Sequence, residues 1–225
     1  MTAQLTKESQ YNHQVRLREA GGLAPLGLSV NQAWHDDPRH VLFTLARYKF
    51  VAKLLRGKRR ALEVGCGDAF GTRIVRQEVP SITAVDFDPV FVQDVIDRMD
   101  PRWEIDCRVH DMLCGPVEGT FDAAYSLDVI EHIPAGDEDR FLANICRSLE
   151  PHGVLIVGSP SIYSQQYASP LSKEGHVNCK SASELADTLR RHFHNVFLFS
   201  MNDELVHTGY DKLAHYYFAL AVGKK

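Results

Sequence analysis

The sequence predicts a doubly wound α/β domain: a mostly parallel sheet of seven strands with an α-helical cap at its N-terminal side. Three observations carry this expectation. From residue 60 onward, short apolar runs alternate with amphipathic segments, the pattern of a sheet covered by helices on both faces. The first of these runs ends in a glycine-rich turn, GCGDAFG at 65–71. The run GVLIVGSP at 153–160 is apolar at successive positions, as a central parallel strand buried on both sides requires. With 225 residues, 44% of them hydrophobic, the chain can bury one continuous core, and residues 1–225 read as a single domain.

Residues 1–58 read as an N-terminal arm and cap helix. The stretch up to residue 35 is mixed and turn-rich, with AGGLAPLG at 20–27. A helix begins at DDPRHVLFTLARYKFVAKLL, where Asp37 can cap and Pro38 suits the first helical position. Val41, Leu42, Leu45, Tyr48, Leu54 and Leu55 share one face of it. Residues 59–160 form the core. RALEVG reads as a strand, GTRIVRQEV as a helix and SITAVD as the second strand. A helix then opens at Asp88-Pro89 and runs to Met99. WEIDCRVH and FDAAYSLD are the third and fourth strands, and DEDRFLANICRSL is a helix with Phe141, Leu142, Ile145, Cys146 and Leu149 on one stripe. Residues 161–225 carry a long polar loop, then SASELADTLRRHF, whose Ser181 and Glu184 have capping-box spacing. NVFLFSM and HYYFALAVG close the sheet as an antiparallel pair.

Composition narrows the partners. Charged residues make up 24% and the net charge is −4, so no basic surface for wrapping nucleic acid is indicated, and the expectation on charge grounds is against a nucleic-acid partner. The run RGKRR at 56–60 reads as a solvated helix end. Five cysteines without a CxxC pair indicate neither a zinc ribbon nor a disulfide framework. No leader-type stretch and no run near eighteen apolar residues occur, so the expectation is a cytoplasmic protein with no membrane partner. Oligomeric state is not legible at this level.

The glycine turn lies at the carboxyl end of a strand, where open α/β sheets bind ligands. Gly65 and Gly67 allow a ligand to approach the backbone, and Gly71 allows close packing of the following helix. Asp86, at the end of the next strand, is placed to accept hydrogen bonds from both hydroxyls of a ribose. A dinucleotide site requires G-x-G-x-x-G to seat a pyrophosphate. Here the third glycine comes one residue later, and Asp68 stands where phosphate would approach. With Glu63 just inside the strand, two carboxylates favour a cationic ligand end, a sulfonium with its amino group. A nicotinamide oxidoreductase and a non-catalytic nucleoside binder remain the alternatives.

LEVGCGDAFGT, AVDFDP, HDM and FDAAYSLDVIEHI resemble, in order and spacing, the successive motifs of class I S-adenosylmethionine-dependent methyltransferases, which have a Rossmann-like fold. The likeness covers about residues 60 to 160. It implies that Gly65, Cys66 and Gly67 line the methionine moiety of S-adenosyl-L-methionine, with Glu63 and Asp68 near its amino group. It also implies that Asp86 holds the ribose with Phe87 and Asp88 beside it. HDM (His110, Asp111, Met112) would meet the adenine, and Leu127 and Asp128 would close the floor of the site. Asp88 is equally suited to cap a helix, and Asp111 a turn.

DVIEHIP at 128–134 follows the fourth strand, where the methyl group should point. His132 is the residue there whose ordinary pKa suits a general base, with Glu131 beside it. The segment is similar to that of small-RNA 3′-terminal 2′-O-methyltransferases, where Glu-x-x-Glu-His and a later histidine hold a magnesium ion. It also resembles ubiquinone-pathway O-methyltransferases, which carry E-V-x-E-H. That resemblance implies a divalent metal on Asp128, Glu131, His132 and His176, although Asp128 is shorter than the glutamate it replaces. A base without metal and a shaping role stay open. Trp34, His35, Tyr163, Gln165, Gln166, Tyr167 and Asn178 offer polar and aromatic lining, which leads to the expectation of a hydroxyl on a small polar acceptor such as a sugar or phenol.

Overall fold

In the computed structural model, which describes residues 5–225, the alternating stretch after residue 59 forms strands β1 (Arg60–Val64), β2 (Ser81–Asp86), β3 (Asp106–Val109), β4 (Phe121–Leu127) and β5 (Leu149–Pro160). These are followed by β6 (Phe193–Asn202), β7 (Leu205–His207) and β8 (Tyr216–Lys224). One sheet results, in the order β3-β2-β1-β4-β5-β8-β6-β7. The first five strands pair in parallel, and β8, β6 and β7 add on antiparallel. The strand order reverses between β1 and β4, so a crevice opens at their carboxyl ends.

Strand parity sorts the side chains into two apolar layers. In β1, Leu62 and Val64 face one layer with Phe121, Phe141, Ile145, Leu185 and Tyr217. Ala61 faces the other, with Val51, Leu55, Val75, Ile82, Tyr125, Tyr216 and Phe218. The first layer is closed by α6 (Glu138–Ser148) and α8 (Ala182–Arg190), which contribute Phe141, Ile145, Leu185 and Leu189. The second is closed by α3 (Arg39–Leu54) and the short α4 (Thr72–Arg76). The capping box at the start of α8 forms as the spacing requires: Ser181 Oγ accepts from Glu184 N, and the Glu184 side chain accepts from Ser181 N at 2.8 Å. α5 (Pro89–Asp97) opens on Asp88, whose Oδ1 accepts from Val90 N.

Several expectations are corrected. The sheet has eight strands rather than seven, because Asn202 to Leu205 turns tightly enough for β7 to pair back on β6. The N-terminal stretch is helical, with α1 (Asn12–Gly21) and α2 (Leu28–Asp36) on either side of AGGLAPLG. Pro38 stands at the cap rather than inside α3, where Asp37 still accepts from Arg39 N at 3.1 Å. Leu42 and Leu54 are exposed, so the buried face of α3 is narrower, running through Val41, Tyr48 and Val51. The third strand starts only at Asp106, since Pro101–Trp103 forms a 3-10 turn capped by Asp100. Among the described residues no helix is long and apolar enough to cross a membrane.

Candidate active site

At two of its three glycines, Gly65 and Gly71, the turn after β1 is shaped by contacts that leave no room for a side chain. Gly65 has φ +74°, and a Cβ there would meet Val129 Cγ2 at 2.2 Å. Gly71 is needed for a different approach than the sequence implies: its missing Cβ makes space for the Tyr48 ring of α3, 2.1 Å from where the atom would stand. The Asp86 carboxylate ties the turn to the end of β2, accepting from Gly67 N at 2.8 Å and from Asp88 N at 3.0 Å. The structure thus brings Gly65, Cys66, Gly67 and Asp86 together at the β1–β2 carboxyl ends, with Leu127 buried at the end of β4.

The flanking acids are placed otherwise than the sequence implies. Glu63 lies in the second apolar layer and is 1% exposed, accepting from Tyr48 Oη at 2.9 Å, Thr72 Oγ1 at 2.5 Å and Tyr125 Oη at 2.8 Å. Burial pushes its pKa up to about 7 against the pull of those three hydroxyls. Its placement is that of a core carboxyl, with both oxygens enclosed by the protein's own donors. Asp68 is also buried, and its oxygens accept from Val30 N at 2.8 Å and Phe70 N at 3.1 Å, which docks α2 over the turn. Gly27 packs directly against Asp68 there. Asp111 closes its own turn by accepting from Leu113 N at 2.8 Å, and Asp88 caps α5, so both side chains take the local roles that their positions also allowed. His110 Nε2 bonds to Gly115 O, Met112 is buried with its carbonyl accepting from Asn144, and Phe87 is exposed.

Beyond β4 the chain converges on Glu131, His132 and His176, whose potential ligand atoms lie within 4.8 Å of one another. Glu131 and His132 fall in a 3-10 turn, while His176 follows α7 (Pro170–Gly175), forty-four residues on. Asn178 holds the two segments together: its N–H donates to Glu131 O at 2.9 Å and its Nδ2 to Ile133 O and Glu138 Oε2, both at 3.0 Å. Each imidazole is oriented through Nδ1, His132 on Gly175 O at 2.9 Å and His176 on Gln165 Oε1 at 2.7 Å. Those acceptors require the proton on Nδ1, so Nε2 of each neutral ring carries the free lone pair. Glu131 is fully buried; Oε2 accepts from Ser159 Oγ at 3.3 Å, and Oε1 has no partner among the described residues. Burial, then the nearby Asp128 charge, raises its pKa to about 8. Burial also lowers that of His176, with the neighbouring His132 adding to the effect.

Asp128 does not join this cluster. Its backbone turns left-handed at the strand end, φ 56°, and its carboxylate takes both bonds from Arg47 Nη1 of α3, at 2.9 and 2.7 Å. The Arg47 guanidinium already neutralises it, and the residues whose potential ligand atoms come together are Glu131, His132 and His176 without Asp128. Arg47 itself lies 3.9 Å above the Tyr216 ring. Sequence reasoning missed Arg47 and Tyr216: one reads as a polar position of a helix and the other as an aromatic of a strand, and no spacing links them to residue 128.

Residues 62–157 match the family described as "Methyltransferase domain". A probable S-adenosylmethionine-dependent methyltransferase of Mycolicibacterium smegmatis is 29% identical over 58% of this chain and 50% of its own length. A ubiquinone biosynthesis O-methyltransferase of Xanthomonas oryzae is 27% identical over 65% of this chain and 61% of its own. The chain therefore spans about half to three-fifths of these curated relatives. Among solved structures, the N-methyltransferase NodS of Bradyrhizobium japonicum, in complex with S-adenosyl-L-homocysteine, superposes with a TM-score of 0.60 at 18% identity, covering 84% of this chain and 89% of that one. The methyltransferase domain of bacterial CtHen1-C gives 0.66 at 16% identity, over 80% and 99%. The family match over residues 62–157 falls on the stretch that carries β1 to β5 and the glycine turn, and the solved structures share the fold.

Proposed function

We propose that the chain methylates a hydroxyl of a small polar acceptor, with S-adenosylmethionine seated over Gly65–Gly67 and its methyl group directed at Glu131 and His132. The observation that carries this reading is the buried Glu131, whose Oε1 has no partner among the described residues and whose carboxylate lies within 4.8 Å of nitrogens of two imidazoles. Each Asp86 oxygen accepts one backbone N–H and keeps a lone pair for a ribose hydroxyl, which supports its role toward the donor. The O-methyltransferase relatives of the ubiquinone pathway support a hydroxyl as the methylated group.

Methyl transfer from a sulfonium is an in-line displacement, so alignment and removal of the acceptor proton are what the protein must supply. With no cation bound, His132 is arranged to take that proton on Nε2, since Gly175 O fixes its tautomer. Glu131, poised near neutrality by its burial, accepts a hydrogen bond from the same hydroxyl. The donor set also fits a divalent cation, because a Glu131 carboxylate oxygen and two imidazole nitrogens lie within 4.8 Å of one another and Glu131 Oε1 has no partner among the described residues. Glu131, His132 and His176 would hold it, and it would supply Lewis-acid activation of the acceptor hydroxyl.

The test is transfer of tritium from labelled donor to a panel of hydroxylated acceptors, before and after chelation and in His176→Ala. Calorimetric titration of the chelated protein with magnesium or manganese supplies a second readout. The expected result is transfer that falls on chelation and in the variant, with a heat of metal binding that His176→Ala abolishes. Full transfer in both cases would remove the cation and leave His132 as base; transfer to amines and never to hydroxyls would remove the O-methylation reading.

A further inference from the structure

Among the described residues, the buried side-chain polar atoms left without a partner are Arg47 Nε, Glu131 Oε1 and Tyr216 Oη. They come from α3, from the turn after β4 and from β8, yet they occupy one corner of the fold. Arg47 stacks at 3.9 Å on the Tyr216 ring. A Cβ at Gly158, whose carbonyl accepts from Asp128 N, would meet Tyr216 Oη at 2.5 Å, so this hydroxyl lies at the carboxyl ends of β4 and β5. Each of the three atoms feels the charge of Asp128 and its neighbours.

A buried donor or acceptor without a partner is destabilising, and three gathered in one corner point to a ligand that supplies what is missing. The demands are of two kinds. Arg47 Nε–H and Tyr216 O–H require an acceptor, whereas Glu131 Oε1 requires a proton or a cation. The way Arg47 meets Asp128 sharpens the point. An arginine present only to neutralise a carboxylate would offer its two-pronged edge; here Nη1 alone carries both bonds to Asp128. The Nε–Nη2 edge, which fits carboxylate and phosphate oxygens, has no acceptor among the described residues. Stacking on Tyr216 holds that edge in a fixed plane.

We propose that Arg47 and Tyr216 select an acceptor that carries an oxyanion, a carboxylate or a phosphate, next to the hydroxyl to be methylated. The oxyanion docks on the free edge of Arg47 and on Tyr216 Oη, which brings the neighbouring hydroxyl against Glu131 and His132. This rests on the O-methylation reading and names the class of substrate within it.

The experiment uses the full chain saturated with S-adenosyl-L-homocysteine and two matched pairs of probes. These are 3,4-dihydroxybenzoate against 3,4-dihydroxybenzyl alcohol, and glycerol 3-phosphate against glycerol. Calorimetry is expected to show at least one anionic member binding about tenfold or more tightly than its neutral twin, the size of one charge-assisted hydrogen bond. The pair that responds distinguishes carboxylate from phosphate. Arg47→Lys keeps the charge without the fork, and Tyr216→Phe keeps the ring without the hydroxyl; each is expected to bring the ratio toward one. Equal affinities within both pairs, binding of none of the four probes, or an undiminished ratio in Arg47→Lys would overturn the proposal. Failure of S-adenosyl-L-homocysteine itself to bind would instead strike the parent reading of the site, and this inference with it.

Discussion

Glu63→Gln separates two accounts of the acid before the glycine turn. Motif resemblance places Glu63 near the amino group of the donor, while the structure encloses it under Tyr48, Thr72 and Tyr125. Its carboxyl titrates at about 7 in the folded protein against 4.5 for the ordinary group. The native state therefore binds more protons than the unfolded chain between those values, so stability falls as pH rises from 4.5 through 7 and levels off above. A shift of that size corresponds to about 3 kcal/mol, and full burial means solvent screening takes little of it away. Glutamine has the same shape and no charge to desolvate. The stability of Glu63→Gln relative to the unaltered chain is thus expected to grow by about 3 kcal/mol between pH 4.5 and 7.5, measured by urea unfolding along that series. Donor affinity, followed with S-adenosyl-L-homocysteine by calorimetry, is expected to change less than about twofold, because neither oxygen faces the ligand. A flat stability difference across the series would refute the buried-carboxyl reasoning. An affinity loss of about tenfold or more would restore the ligand contact implied by the motif.

Two further outcomes bear on the site. Asp86→Ala removes the acceptor for Gly67 N and Asp88 N as well as the proposed ribose contact, so donor affinity is expected to fall about tenfold or more by calorimetry. Unchanged affinity would reduce Asp86 to a loop staple. Asn178→Ala deletes side-chain bonds to Ile133 O, Glu138 and Lys180, and a loss of about 2 kcal/mol in urea unfolding is expected. Because these bonds hold the His176 segment against Glu131 and His132, tritium transfer at saturating donor is expected to drop too; transfer at the full rate would show that the loop positions itself.

The sequence by itself determined the alternation of strands and helices, the glycine turn and the carboxylate at the end of β2. These depend on local periodicity, on backbone freedom at Gly65 and on chain order, all of which are written in neighbouring residues. Tertiary structure alone decided what each acid does. Glu63, Asp68 and Asp128 are all carboxylates near the donor's end in sequence terms, yet one is sealed among hydroxyls, one anchors α2, and one is held by an arginine eighty-one positions away. The same holds for His176, which reaches His132 only because Asn178 and the Gly175 carbonyl close the loop. A charge's role is set by what surrounds it in space, and packing between distant elements supplies those surroundings.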